Sequence, residues 1–172
     1  MQPIWVVAGT RPEIVKLARV YHALHDRFGR RVVWVSTGQH TDLARQALNS
    51  FNLRPDIVLN PARGRGIIAG LIGEPDPTAA RDTVAGLLSE LIRQLDIELA
   101  IGKPSLVMVQ GDTTSTVAAA LAAFSHRIPV AHVEAGLRTF DLSQPFPRKL
   151  GARSWDKSPI SILPLQSGRP AT

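Results

Sequence analysis

Runs of four or five residues, apolar and rich in β-branched side chains, recur along the first three-quarters of the chain, at residues 4–8, 32–36, 56–59, 106–110 and 130–134. Within each run apolar residues follow one another instead of alternating with polar ones. Such a run predicts a strand covered on both faces, as in a parallel sheet held between helices. The longer stretches between the runs space their apolar residues three and four apart, the period of a helix packed on one side. This alternation predicts βαβ units and an α/β fold, a parallel sheet with helices on both faces, forming a single domain over residues 1–147.

The first helix has the clearest start. Thr10-Arg11-Pro12-Glu13 reads as a capping box in which Thr10 is the N-cap, Glu13 reaches back to it, and Pro12 falls in the first turn, where its missing N–H costs nothing. Ile14, Leu17, Ala18, Tyr21 and His25 then follow at helical spacing. Residues 42–51 predict a second helix, and a third opens at Asp76-Pro77 and runs to about Leu99. The alanine-rich residues 114–124 predict a fourth, whose small side chains let it lie close against the sheet. The glycine-rich stretch from Arg63-Gly64-Arg65-Gly66 to Gly73-Glu74-Pro75 matches neither a Walker loop nor a dinucleotide fingerprint. It reads as a mobile loop, with a ligand clamp as the other reading.

The pattern breaks after Pro147. Ser, Pro, Arg and Gly dominate, and Pro159, Pro164 and Pro170 interrupt every candidate period, so residues 148–172 are expected to be an irregular tail without structure of their own. The tail also carries most of the charge. Of the formal +6, its five basic residues against Asp156 contribute +4, leaving +2 for residues 1–147. The domain lacks interleaved aromatic and basic residues, so no nucleic acid is expected as a partner. The sequence contains no cysteine, which excludes disulfides and thiolate metal sites, and no two histidines have the spacing of a metal pair; neither metal nor cofactor is expected. No apolar run approaches the ~18 residues of a membrane span, and residues 1–8 show no leader pattern, so a cytoplasmic protein that does not engage a membrane is expected.

In an open α/β sheet ligands bind beyond the carboxyl ends of the strands. Four such places are rich in polar residues: Gly9-Thr10-Arg11-Pro12-Glu13, Thr37-Gly38-Gln39-His40, Gly111-Asp112-Thr113-Thr114, and the segment from His132 through Glu134 to Arg138. Asp112 and Glu134 follow strands expected to be neighbours. Two carboxylates on one rim can divide acid and base work, since proximity and burial push their pKa values apart. The alternative makes Asp112 a helix N-cap and Glu134 a paired surface acid. Arg11 and Lys16 lie on the first helix, where a helix start and two cations suit a phosphate or a polarised sugar; the alternative is that both are solvated charges. His22, His25 and His126 read as packing or surface residues, whereas His40 and His132 are better placed for a site.

Taken together, Gly9-Thr10-Arg11-Pro12-Glu13-Ile14 with Lys16-Leu17, Thr37-Gly38-Gln39-His40, Gly111-Asp112-Thr113-Thr114 and His132-Val133-Glu134-Ala135-Gly136-Leu137-Arg138-Thr139 occur in the order and approximate spacing of the non-hydrolysing UDP-N-acetylglucosamine 2-epimerases. Residues 1–147 resemble the N-terminal half of that family. The resemblance implies a Rossmann-like domain, one half of a glycosyltransferase-B-like enzyme with its active site between two such halves, and a homodimer acting on a UDP-sugar. The implied reaction interconverts UDP-GlcNAc and UDP-ManNAc by removing the C2 proton, expelling UDP to leave a glycal, and adding UDP back after the proton returns on the opposite face. It needs a base at C2, stabilisation of positive charge at C1, and cations for the departing diphosphate. By motif, Asp112 and Glu134 are the acid/base and charge-stabilising candidates. Arg11, Lys16 and Arg138 are substrate-binding candidates, and Gln39 and His40 fall on a loop that closes on ligand.

The chain also departs from the family. Ser105 replaces an aspartate usual after Lys-Pro, and Gln110 stands where many members have histidine. After Phe146-Pro147, Arg148 and Lys149 occupy places where the family has a Pro-Glu-Glu run whose first glutamate is a further active-site carboxylate, and a cation there has the wrong sign for an oxocarbenium ion. Among permitted back-translations of residues 155–164, one shifted frame reads Gly-Gln-Val-Ala-Asp-Ile-His-Ile-Ala-Pro, which resembles the family's continuation, so an out-of-frame tail is one expectation. A fragment of an isomerase, inactive alone, is therefore expected. The alternatives are a non-catalytic module that binds a sugar nucleotide or a partner, and the acceptor half of a glycosyltransferase.

Overall fold

The computed structural model describes residues 2–38, 41–61, 83–133 and 160–163. Five parallel strands form the sheet: β1 (Ile4–Ala8), β2 (Val32–Ser36), β3 (Ile57–Val58), β4 (Leu106–Gln110) and β5 (Val130–Val133), with β6 (Ile160–Leu163) antiparallel at one edge. Their order is β3-β2-β1-β4-β5-β6. Strands are added on one side of β1 as far as β3, and the chain then crosses to the other side to lay down β4. The gap between the carboxyl ends of β1 and β4 is thus the topological switch point of a Rossmann-like sheet.

Burial on both faces explains the unbroken apolar runs. Along β1, Val6 and Ala8 pack with Ile14, Leu17 and Ala18 of α1 (Arg11–Phe28) and with Ala44, Ala47 and Leu48 of α2 (Thr41–Ser50). Trp5 and Val7 point the other way, into a core built from Leu91, Leu95 and Leu99 of α3 (Val84–Gly102) and the alanines of α4 (Thr114–Ser125). Ala118, Ala119, Ala122 and Ala123 are almost fully buried, so α4 lies close against the sheet, as its composition predicts.

The boundaries differ from expectation in four places, with local causes. β3 is two residues long; at its start Asp56 gives its backbone N–H to the Trp34 carbonyl at 2.9 Å while its carboxylate, in place of a backbone carbonyl, takes the Trp34 backbone N–H at 2.7 Å. The expected start of the third helix at Asp76 lies outside the described residues; α3 as described begins at Val84, where the Thr83 hydroxyl accepts the Gly86 N–H. It runs beyond Leu99 to Gly102 and stops at Lys103, whose φ of 42° is left-handed. Finally, β6 forms within the stretch expected to be irregular, pairing Ile160 with Val133 and Leu163 with Val130. A four-residue strand needs only β5's open edge to satisfy its backbone, whatever the composition around it. No helix among the described residues is long and apolar enough to cross a membrane.

Candidate functional site

The loops after β1 and β4 enclose a crevice of about 490 Å³ at the switch point, lined by Thr10, Arg11, Glu13, Lys16, Asp112 and Thr113 among others. Three of the residues singled out from sequence, Arg11, Lys16 and Asp112, therefore meet there. Arg11 and Lys16 are exposed five residues apart on α1, and Asp112 is half-buried across the crevice from them. Glu134, Gln39, His40 and Arg138 lie outside the described residues.

The walls are held by specific bonds. α4 is capped by Thr113 and not by Asp112: the Thr113 hydroxyl accepts the Thr116 N–H at 3.2 Å. Capping thus makes no claim on the Asp112 carboxylate, and among the described residues no hydrogen bond or ion pair engages it. Gly111 sits at φ 78°, a region that disfavours any side chain, and its carbonyl lies 2.6 Å from Nε2 of buried His132 on β5. His132 therefore supports the Asp112 turn from below. The other described histidines are engaged elsewhere, His22 with the Phe51 carbonyl, His25 in a stack with Tyr21, and His126 with Asp96.

Sequence reasoning saw Glu13 as a capping residue and missed the rest of its surroundings. Its carboxylate is 1% exposed, and Oε2 accepts the N–H groups of Gly9 and Thr10, each at 2.7 Å. Thr10 and Glu13 stand as the expected capping box, with Glu13 taking the Thr10 N–H and the buried Thr10 hydroxyl facing the start of α1. Oε1 takes a short bond from the Thr113 hydroxyl, 100 residues away in sequence. Thr116 Oγ1 lies 3.3 Å from the same oxygen, but its single proton is better placed for the Gln110 carbonyl at 2.7 Å. A buried carboxylate costs several kcal/mol unless hydrogen-bonded; two amides and a hydroxyl offset that cost here. The signal available in the sequence was the hydroxyl pair at 113 and 116, spaced to share one side of a helix turn.

One more loop joins the same rim. Thr37, after β2, and Ser115, on α4, hydrogen-bond through their hydroxyls at 2.7 Å, both buried. Gly9 lies directly against this pair. A Cβ there would fall 1.9 Å from Thr37 Oγ1 and 2.3 Å from Ser115 Oγ, so only glycine lets the three loops close up. A second cavity, about 580 Å³, lies at the other end of the sheet. Its cations Lys103 and Arg127 stand at the carbonyl ends of α3 and α4, where they oppose the helix dipoles.

A chemical picture follows from the main crevice. One wall presents cations, the other a carboxylate with no partner among the described residues, and the floor is a network of buried polar groups. Such a space suits a ligand that carries negative charge and an exchangeable proton.

Comparison with known proteins identifies the family. The family model described as UDP-N-acetylglucosamine 2-epimerase matches residues 22–157. The UDP-N-acetylglucosamine 2-epimerase of Escherichia coli K12 is 40% identical over 148 residues, covering 85% of this chain and 35% of that protein. Among solved structures, a Neisseria meningitidis UDP-GlcNAc 2-epimerase bound to UDP-GlcNAc superposes with a TM-score of 0.72 at 35% identity, over 89% of this chain and 37% of that one. Staphylococcus aureus MnaA with UDP gives 0.73 at 33% identity, over 89% and 36%. The chain spans about a third of the length of the relatives it matches.

Proposed function

The chain belongs to the UDP-N-acetylglucosamine 2-epimerase family, and from that membership we propose that its switch-point crevice is the N-terminal half of a site for interconverting UDP-GlcNAc and UDP-ManNAc. The observation that carries this reading is the meeting of Arg11, Lys16 and Asp112 around one crevice, with Asp112 held by no other group among the described residues. Asp112 and Glu134 move the C2 proton and stabilise charge at C1, and the C1–O bond to UDP breaks to give the glycal. UDP returns to C1 once the proton has been delivered to the other face. Arg11, Lys16 and Arg138 take the diphosphate or orient the sugar, and Gln39 and His40 close over it. The rest of the site lies in a second half of glycosyltransferase-B type, and the whole acts as a cytoplasmic homodimer.

On this reading the 172 residues alone bind sugar nucleotide weakly and do not turn it over, since half a cleft cannot hold both ends of the ligand. The test is an epimerisation assay and a calorimetric titration of the purified chain with UDP-GlcNAc. Weak binding without turnover is the expected result. Turnover would overturn the claim of inactivity, and the absence of any binding at millimolar ligand would remove the reading of the crevice.

A further inference from the structure

We infer that Glu13 is a positioning residue, whose buried carboxylate ties the β1–α1 turn that leads into Arg11 to the loop carrying Asp112 and so fixes the two walls of the crevice relative to each other. The inference rests on reading that crevice as a ligand site. Glu13 touches the Thr10 N–H, next to Arg11, and the Thr113 hydroxyl, next to Asp112. One side chain therefore spans the switch point, where no β-hairpin or short connection links the strands: β1 and β4 are neighbours in the sheet but about 100 residues apart in the chain.

A helix cap alone would not need this arrangement. The bonds to Gly9 and Thr10 already close the start of α1. The bond to Thr113 adds nothing to α1 and serves only to hold the other loop. The groups around Oε1 and Oε2 are donors, which matches a carboxylate, an acceptor at both oxygens; an amide would present an NH₂ to one of them. Glu13 also occupies the Gly9 and Thr10 amides that would otherwise attract an external anion to the start of α1. Negative charge on a ligand is thereby directed to the Arg11 and Lys16 side chains.

The test separates bridging from capping. Thr113→Val leaves the Gly9 and Thr10 bonds to Glu13 in place and removes the link across the crevice together with the α4 cap on the Thr116 N–H, so the reading is taken at Gly9 and Thr10, which that cap does not touch. Amide hydrogen exchange followed by NMR should then show the Gly9 and Thr10 amides exchanging about tenfold faster, the scale of losing one charge-assisted bond, while Thr113→Ser, which keeps the hydroxyl, restores wild-type protection. Unchanged protection at Gly9 and Thr10 in folded Thr113→Val would overturn the inference. If that variant fails to fold, Glu13→Asp, one methylene shorter, asks the same question: faster exchange at the Thr116 amide supports the bridge, and unchanged exchange refutes it. A parallel UDP-GlcNAc titration should show about fivefold weaker binding by Thr113→Val, with Thr113→Ser close to wild type. If the wild-type chain does not bind UDP-GlcNAc, the functional reading fails, while the exchange measurement still decides whether Glu13 couples the loops.

Discussion

Replacing Gly9 by alanine is the smallest change that should open the rim of the crevice. The added methyl would meet Thr37 Oγ1 at 1.9 Å and Ser115 Oγ at 2.3 Å, against the 3.4 Å or more of ordinary contact. Each hydroxyl must move by about 1 Å or more, and neither short side chain can do so without turning away from the other, so the 2.7 Å bond between them is lost. Overpacking of a buried site costs about 1–3 kcal/mol, and leaving buried hydroxyls unpaired costs a further ~1–3 kcal/mol. A total of about 3 kcal/mol corresponds to a fall in Tm of roughly 10 °C for a domain of this size. Thermal unfolding followed by circular dichroism measures it directly. Thr37→Ala removes the nearer obstacle, so Gly9→Ala combined with Thr37→Ala should be less unstable than the two single effects added together. A Gly9→Ala variant melting within about 3 °C of the parent would show that the three loops are not packed as described, because even the low end of the combined cost, about 2 kcal/mol, exceeds that shift.

Three further outcomes follow from other parts of the fold. Lys103 ends α3 at φ 42° without glycine's freedom, so Lys103→Gly should stabilise the chain by about 1 kcal/mol in urea unfolding; a loss of stability would show that the lysine side chain matters more than its backbone. Leu95→Ala, at a position 1% exposed in the core between α3 and the sheet, should cost about 3 kcal/mol by the same measurement, and a cost under ~1 kcal/mol would mean that this core is loosely packed. Burial, and secondarily the charge of Asp56, raises the Tyr21 pKa, so the folded state favours the neutral phenol; its contribution is intact below the ordinary pKa of 10.0 and is lost as pH rises through the folded value. Stability should therefore fall above pH 10, and Tyr21→Phe should flatten that fall; an identical alkaline profile would contradict it.

The sheet was legible in the sequence because its central parallel strands are covered on both faces, which leaves an unbroken apolar run as their trace. β1, β2 and β4 match their runs residue for residue. The start of α1 was legible too, because a cap is a local device written within four residues. Less local features left little trace. Nothing near Glu13 announces that its second oxygen bonds Thr113, since that contact exists only after β4 has been placed beside β1. Asp112 could be read equally well as a cap or as a free carboxylate until Thr113 was seen to do the capping. β6 was hidden for a different reason: its pairing depends on the open edge of β5, and the proline-rich residues around it mask a four-residue apolar stretch. Arg11, Lys16 and Asp112 were singled out because polar residues beyond strand ends gather at a switch point, and these three line one crevice there.

The most direct measurement is an NMR titration of the chain with UDP-GlcNAc, following backbone amide shifts residue by residue. Ligand-dependent shifts concentrated at Arg11, Lys16 and Gly111–Thr113, and reduced by Arg11→Ala, are the expected result. Shifts clustered instead around Lys103 and Arg127, at the opposite end of the sheet, or none at any residue, would contradict a sugar-nucleotide crevice at the switch point.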